Sequence, residues 1–188
     1  MEGVMDLRKK RIVRTKTLLK STFIALMESR SPHEITVVEL CRAARLNRSS
    51  FYAHYGYMDD LIRDIVFDCV AEVCDSVNRS PLDMTEDGGI HRRRIAIYLD
   101  AFLSNDTLRR LCTCEDSDLF RADIVSAHVK ITLGSQDDPK WYYPAYFQNT
   151  GVLNLILEWL KSGMNAPKEH IIEIIHQFSK AMYYPYEY

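Results

Sequence analysis

The chain has 188 residues, 47% of them hydrophobic, and a formal net charge of −2 at pH 7. That length and apolar content suit one or two small domains with a buried core, and the near-neutral total excludes a polycation. The charge is unevenly placed: residues 1–55 hold 11 Lys or Arg against 5 Asp or Glu, a net of +6, whereas residues 56–188 hold 13 against 21, a net of −8. A basic head on an acidic body is the footprint of a phosphate-binding end.

The N-terminus is charged and lacks an apolar run, so no signal peptide is expected. No stretch approaches the ~20 apolar residues that span a bilayer. The expected setting is soluble and cytoplasmic. The five cysteines, Cys41, Cys69, Cys74, Cys112 and Cys114, are odd in number and irregular in spacing, which suggests no disulfide framework. Cys112 and Cys114 are close enough to bind a soft metal or to sense oxidant, but no second Cys or His cluster lies nearby to complete a site. His33, His91, His128, His170 and His176 are isolated, without metal-ligand spacing. No metal and no cofactor is expected.

Taken in order, residues 1–10 read as loosely ordered, with a basic cluster at Arg8, Lys9, Lys10 and Arg11. A first helix follows, with Leu19, Phe23 and Leu26 on one buried face. Ser31-Pro32 ends it, because proline disfavours helix in the residue before it. Thr36 caps a second helix, with Glu39 three residues on to complete a capping box, and Asn47 caps a third. The pattern from about Tyr57 to Asn78 predicts a long helix, with Asp59 and Asp60 in the first turn where the helix dipole favours negative charge. Residues 79–89, with Pro81, Asp83, Asp87, Gly88 and Gly89, read as the clearest loop.

Helices are then predicted over about Ile90–Leu103, Thr107–Cys112 and Asp118–Leu133, with a polar break from Gly134 to Pro139. In the next helix Tyr146, Thr150, Leu153, Leu157 and Leu160 form one apolar stripe and Phe147, Gly151 and Leu155 a second; a helix apolar on two faces must bury both. Ser162-Gly163 and Pro167 bound it. The last helix carries Ile171, Ile175, Phe178 and Met182. No alternating β pattern persists and no repeat is evident. The fold class is all-α, with about nine helices: a three-helix helix-turn-helix domain over residues 1–56 and a helical regulatory and dimerisation domain over residues 57–188.

The segment Thr36–Tyr55 carries the function. A recognition helix must be short, pre-placed and lined with donors, because phosphates and base edges present mostly acceptors. Arg48, Ser49, Ser50, Tyr52 and His54 supply the donors, while Leu40, Ala44, Leu46 and Phe51 supply the apolar side that holds the helix in place.

Ile35-Thr36-Val37, Leu40, Ala44, Asn47-Arg48-Ser49-Ser50-Phe51-Tyr52, His54-Tyr55 and Asp60-Leu61 agree in order and spacing with a known motif. Over residues 10–62 the chain resembles the DNA-binding domain of the TetR family of bacterial transcriptional regulators. Tyr142-Tyr143, Phe147, Gly151, Leu155, Glu158-Trp159-Leu160, Gly163-Met164 and Pro167 are similar to the last two helices of one branch, which includes regulators related to the dihydroxyacetone-kinase activator. The resemblance implies that Thr36 caps the second helix and touches a phosphate. It places Arg48, Ser49 and Ser50 nearest the base edges, with Tyr52 and His54 on backbone or bases. Tyr55 anchors the turn into the fourth helix and adds a phosphate contact.

Two residues depart from the family pattern. Arg45 stands where the turn often has Gly, and Met58 where a Lys often begins the fourth helix. The Arg8–Arg11 cluster is expected to replace the lost contact by reaching into a minor groove, as N-terminal arms do elsewhere.

The expected partner is a double-stranded, palindromic DNA operator, bound by a homodimer because one recognition helix makes too few contacts. The expected dimer interface lies on the last two helices around Tyr146, Thr150, Leu153, Leu157, Ile171, Ile175 and Phe178. An effector, if one acts, is expected among the middle helices near Tyr98, Phe102, Phe120, His128, Tyr143 and Phe147. No His-Glu-x-x-His, Gly-rich phosphate loop or Gly-x-Ser-x-Gly is present, so an enzyme is not expected. The alternative is a coregulator of the same fold that acts through protein–protein contacts without touching DNA.

Overall fold

The computed structural model describes residues 2–79, 89–134 and 138–183, with the side chains of 9–79, 92–134, 138–140 and 142–179. Among these the chain forms nine α-helices and no strand: α1 (Glu2–Leu26), α2 (Val37–Ala43), α3 (Arg48–Tyr52), α4 (Met58–Arg79), α5 (Gly89–Ser104), α6 (Asp106–Thr113), α7 (Ser117–Leu133), α8 (Pro139–Lys161) and α9 (Lys168–Tyr183). The loop expected over residues 79–89 lies almost wholly outside the described residues, as does part of the expected break before α8. No described helix is long and apolar enough to cross a membrane.

The chain divides into two compact units, one ending at Ile65 and the other beginning at Val66. The division falls inside α4 and not at its start, because Leu61, Ile62 and Ile65 in its first turns are buried in the core of the first unit.

In the first unit α2 packs on α1 and α3 packs on α2. Its centre is Leu19, Phe23, Leu40, Phe51 and Leu61, each fully buried. Every such side chain contributes about 1.5–3 kcal/mol by leaving water. Three details of α1 differ from the sequence reading. Residues 2–10 are helical, since Glu, Leu, Arg, Lys and Met are good helix formers and continue α1 toward the N-terminus. The buried face is Leu19, Phe23 and Met27, with Leu26 only half-buried, so the stripe runs at i, i+4, i+8. The helix also stops earlier than expected. Met27 and Glu28 donate turn hydrogen bonds to Phe23 and Ala25 carbonyls, at 3.0 and 3.2 Å, and Pro32 instead opens a short 3₁₀ turn, Pro32–Glu34.

In the second unit α7 packs on α8, α5 on α9, and α6 against α5, α7 and α8. Leu99, Phe102, Leu108, Leu111, Ile124 and Leu153 are fully buried at its centre. Polar ties hold the outer faces. Arg92 on α5 makes a two-pronged bond to Glu173 on α9, at 2.9 and 3.2 Å. Arg121 on α7 reaches Glu158 on α8 at 3.0 Å. Trp159 donates its indole N–H to the Ala166 carbonyl at 2.8 Å, fixing the end of α8 against the connection to α9.

This packing reassigns several residues. Leu153, Leu157, Ile171 and Ile175, expected at a subunit interface, are buried in the second unit's own core. Tyr146, at 42% exposure, and Phe178, at 70%, remain outside, with Thr150 half-buried.

Candidate nucleic-acid interface and interior cavity

The short α2–turn–α3 unit is built by its caps. Thr36 sits in extended conformation before α2, and its Oγ1 accepts the Glu39 backbone N–H at 3.3 Å. The Glu39 carboxylate in turn accepts the Thr36 backbone N–H at 3.1 Å and its hydroxyl at 2.9 Å. Arg30 adds an ion pair to the same carboxylate. The backbone bond to Thr36, then Arg30, lowers the Glu39 pKa to about 2. The Thr36 hydroxyl is thus engaged as both donor and acceptor within the cap. Asn47 holds the N-cap position of α3, but its side chain makes no capping bond there.

Between α2 and α3 the chain turns through Arg45 at φ 54°, a left-handed conformation that L side chains rarely adopt. Leu46 N–H reaches back to the Cys41 carbonyl at 2.9 Å, which closes the turn without glycine. The buried Leu40, Cys41, Ala44 and Phe51 hold the two helices together.

On α3 Arg48, Ser49 and Tyr52 are exposed, Ser50 is half-buried, and His54, just past the helix, is half-buried. The buried Phe51 ring meets the half-exposed Tyr52 ring edge-on at 5.4 Å. Tyr55 behaves differently from the expectation. Its ring is 5% exposed, and its hydroxyl donates to Asp64 at 2.7 Å. Asp64 also pairs with Lys16 at 2.8 Å and Lys20 at 3.0 Å. Burial raises the Asp64 pKa, but the bonds from Lys16, Tyr55 and Lys20 outweigh it and leave it below the usual carboxylate value. Tyr55 is an anchor that ties the α3–α4 corner to α1, and its hydroxyl is taken.

The corner is completed by Asp60, whose carboxylate accepts the backbone N–H groups of Gly56 at 3.1 Å and Tyr57 at 2.9 Å. A Cβ at Gly56 would meet that same carboxylate at 3.2 Å. Tyr57 is 76% exposed, beside the half-buried Met58. It was not singled out from sequence, although a tyrosine between two helix boundaries is the available signal. Lys9, Lys10, Arg11 and Arg14 are exposed on the N-terminal half of α1. They project from a helix and not from an extended arm. A helix ~10–12 Å across does not enter a minor groove ~6 Å wide, so the expected minor-groove arm is replaced by a basic helical surface.

The second unit has a half-open pocket of about 510 Å³ between α4, α5, α7, α8 and α9. Of the six residues expected to line an effector pocket, Tyr98 and His128 do so. Phe102 and Phe120 are instead buried core residues, and Tyr143 and Phe147, at 66% and 69% exposure, face solvent. The rings of Tyr98 and His128 meet edge-on at 5.4 Å. The Tyr98 hydroxyl and His128 Nδ1 are both sealed from solvent, and neither has a hydrogen-bond partner among the described residues. Burial lowers the His128 pKa to about 4 and pushes that of the Tyr98 hydroxyl far up, so both are neutral at pH 7.

The thiol pair has no reactive setting. Burial foremost pushes Cys112 up to about 12, and it also raises Cys114. At neutral pH both stay protonated, and a thiol is neither nucleophile nor metal ligand.

No family model matches the chain. It is 24% identical over 178 residues to the uncharacterized HTH-type transcriptional regulator YxbF of Bacillus subtilis (strain 168), covering 90% of this chain and 45% of that protein. The chain therefore spans about half the length of the curated relative it matches. Among solved structures it is similar to the TetR family repressor AlkX from Dietzia sp. strain DQ12-45-1b, implicated in biodegradation of n-alkanes. That similarity has a TM-score of 0.61 at 14% identity, over 89% of this chain and 94% of AlkX. A tetR-family transcriptional regulator from Streptomyces coelicolor superposes with a TM-score of 0.55 at 16% identity, over 89% of this chain and 81% of that one. The dihydroxyacetone kinase operon activator DhaS superposes at 0.48 with 13% identity, over 90% and 94% of the two chains. The all-α fold of this chain is the fold of the TetR family repressors.

Proposed function

We propose that this chain is a DNA-binding transcriptional regulator of the TetR type, acting in the cytoplasm as a homodimer on a palindromic operator. The observation that carries this reading is the exposed donor row Arg48, Ser49 and Tyr52 on α3, presented by a capped and tightly turned α2–α3 unit. Half-buried Ser50 and His54 extend the row. Arg48 is the base-reading residue and Tyr52 contacts backbone or base edge. Tyr57 and the α1 cations supply phosphate contacts in place of Tyr55, and Thr36 acts through the cap.

Dimerisation uses side chains that α8 and α9 leave outside, Tyr146, Phe147 and Phe178, and not the buried leucines and isoleucines. The cavity in the second unit holds a small-molecule effector, which acts by favouring one arrangement of the two recognition helices over another. The helix-turn-helix description of the Bacillus relative and the repressor fold support the same reading.

The test is fluorescence anisotropy with the promoter fragment next to the protein's own gene. Arg48→Ala is expected to weaken binding at least tenfold, in line with ~1–3 kcal/mol for a bidentate base contact. Tyr52→Phe is expected to weaken it less, through one lost hydrogen bond. A complex unchanged by both substitutions would place the activity in protein–protein contacts.

A further inference from the structure

The turn that joins α2 to α3 is closed by two nested backbone bonds. Arg45 donates its N–H to the Arg42 carbonyl at 3.2 Å, and Leu46 donates its own to the Cys41 carbonyl at 2.9 Å. Ala44 ends α2 in helical conformation, and Arg45 follows at φ 54°. This is the Schellman ending of a helix, with Arg45 at its left-handed position. Glycine is the usual residue there, because it enters the left-handed region without a clash at Cβ. Neither bond needs an arginine, since glycine supplies the same backbone N–H. A strained backbone position beside a binding surface is evidence that the side chain it carries has a use.

The surroundings of Arg45 narrow that use. Its side chain is exposed, as are those of Arg42 in the last turn of α2 and Arg48 at the start of α3, so three arginines follow one another at three-residue intervals. The acid nearest to Arg45 in sequence, Glu39, is engaged by Arg30 and by the Thr36 cap. Position along the unit decides what each arginine meets. In a helix-turn-helix the second helix turns its N-terminal residues to base edges, while the first helix crosses the sugar–phosphate backbone. Arg48 opens the second helix. Arg45 stands at the end of the first, before α3 begins, and so belongs to the part that crosses the backbone. A guanidinium matches a phosphate with two parallel N–H groups.

We propose that Arg45 contacts a backbone phosphate of duplex DNA and seats the α2–α3 unit on it, with Arg42 adding positive potential beside the contact. The left-handed turn fixes where the Arg45 side chain leaves the backbone, and the strain is offset when DNA is bound. Phosphates are the same at every base pair, so Arg45 adds affinity and position but no sequence preference. This deepens the regulator reading and rests on it.

Fluorescence anisotropy on the full chain tests it, with the promoter duplex and a scrambled duplex of the same length, between about 50 and 200 mM salt. Arg45→Gly and Arg45→Asn both suit a left-handed position and both remove the charge. Each is expected to weaken the two duplexes by the same factor, about fivefold or more, and to lower the slope of log K against log salt by about 0.9 per bound subunit. Arg45→Lys is expected to keep most of the slope. Arg93→Gln removes one exposed charge from the second unit and is expected to change neither quantity. The urea midpoint of Arg45→Gly should be unchanged or higher, so weaker binding is not loss of fold. An unchanged slope in both uncharged variants, an equal loss in Arg45→Lys or Arg93→Gln, or a loss confined to the promoter duplex would overturn the contact. Binding that Arg48→Ala weakens and the Arg45 variants do not counts against Arg45 alone. A wild-type chain that binds neither duplex counts against the regulator reading and the contact together.

Discussion

Arg45 is held at φ 54° in a turn where glycine would fit without strain. A left-handed L residue costs about 1–2 kcal/mol, and the extra backbone entropy of glycine offsets about 0.5–1 of that. Arg45→Gly is therefore expected to stabilise the chain by up to ~1 kcal/mol, read as a higher urea midpoint with an unchanged slope. His128 offers a test in pH. Its folded pKa of about 4 lies below the ordinary 6.5 because burial disfavours the charged ring. The unfolded chain thus binds the extra proton, so stability rises with pH between about 4 and 6.5 and is lost on acidification through that window. The full difference is about 3 kcal/mol. His128→Leu is expected to flatten that segment of the stability curve. Asp64 acts in the same sense in a lower pH window: its pKa is depressed, so its stabilisation is present above the ordinary carboxylate pKa and lost as pH falls through its own lower value. Tyr55→Phe removes one of the bonds that depress it, at a cost of about 1 kcal/mol in denaturant unfolding.

At the scale of the element, α2 is seven residues long and depends on its cap more than on propensity. Thr36→Ala is expected to cost about 1 kcal/mol in stability, and Thr36→Ser to restore it. If DNA affinity follows the same pattern, Thr36 acts by holding α3 in place. α6 is fixed in a related way. The Asn105 side chain accepts the Leu108 N–H at 3.0 Å and donates to Glu72 on α4 at 3.2 Å, so one residue both caps a helix and joins it to another. Cap residues of this kind are readable from sequence because donor and acceptor lie within three positions. The failure of Asn47 to cap α3 was not readable, since its rotamer is set by surroundings that the local pattern does not contain.

For the whole molecule, the decisive question is which apolar faces are spent inside one chain. Leu153→Ala, at a fully buried position, is expected to cost about 2–5 kcal/mol as a core cavity. Phe178→Asp and Phe147→Asp, at exposed positions, are expected to leave the fold intact. Under the dimer proposed here they convert the species seen by light scattering to a monomer. The reverse outcome, with Leu153 governing association and Phe178 without effect, would return the interface to the inner stripe.

The sequence alone determined the helical class, the order of the helices and the Thr36 cap, whereas the left-handed turn at Arg45 came from the structure. The first three rest on signals between residues a few positions apart, which survive in a one-dimensional string. Only the tertiary structure decided that Leu153, Leu157, Ile171 and Ile175 turn inward and Phe178 outward, because periodicity marks an apolar face without saying which neighbour covers it. It also decided that the Tyr55 hydroxyl is spent on Asp64, and that Tyr98 and His128, from different helices, meet at one cavity. Burial and pairing across helices depend on how the helices pack, and residue type alone does not carry that information.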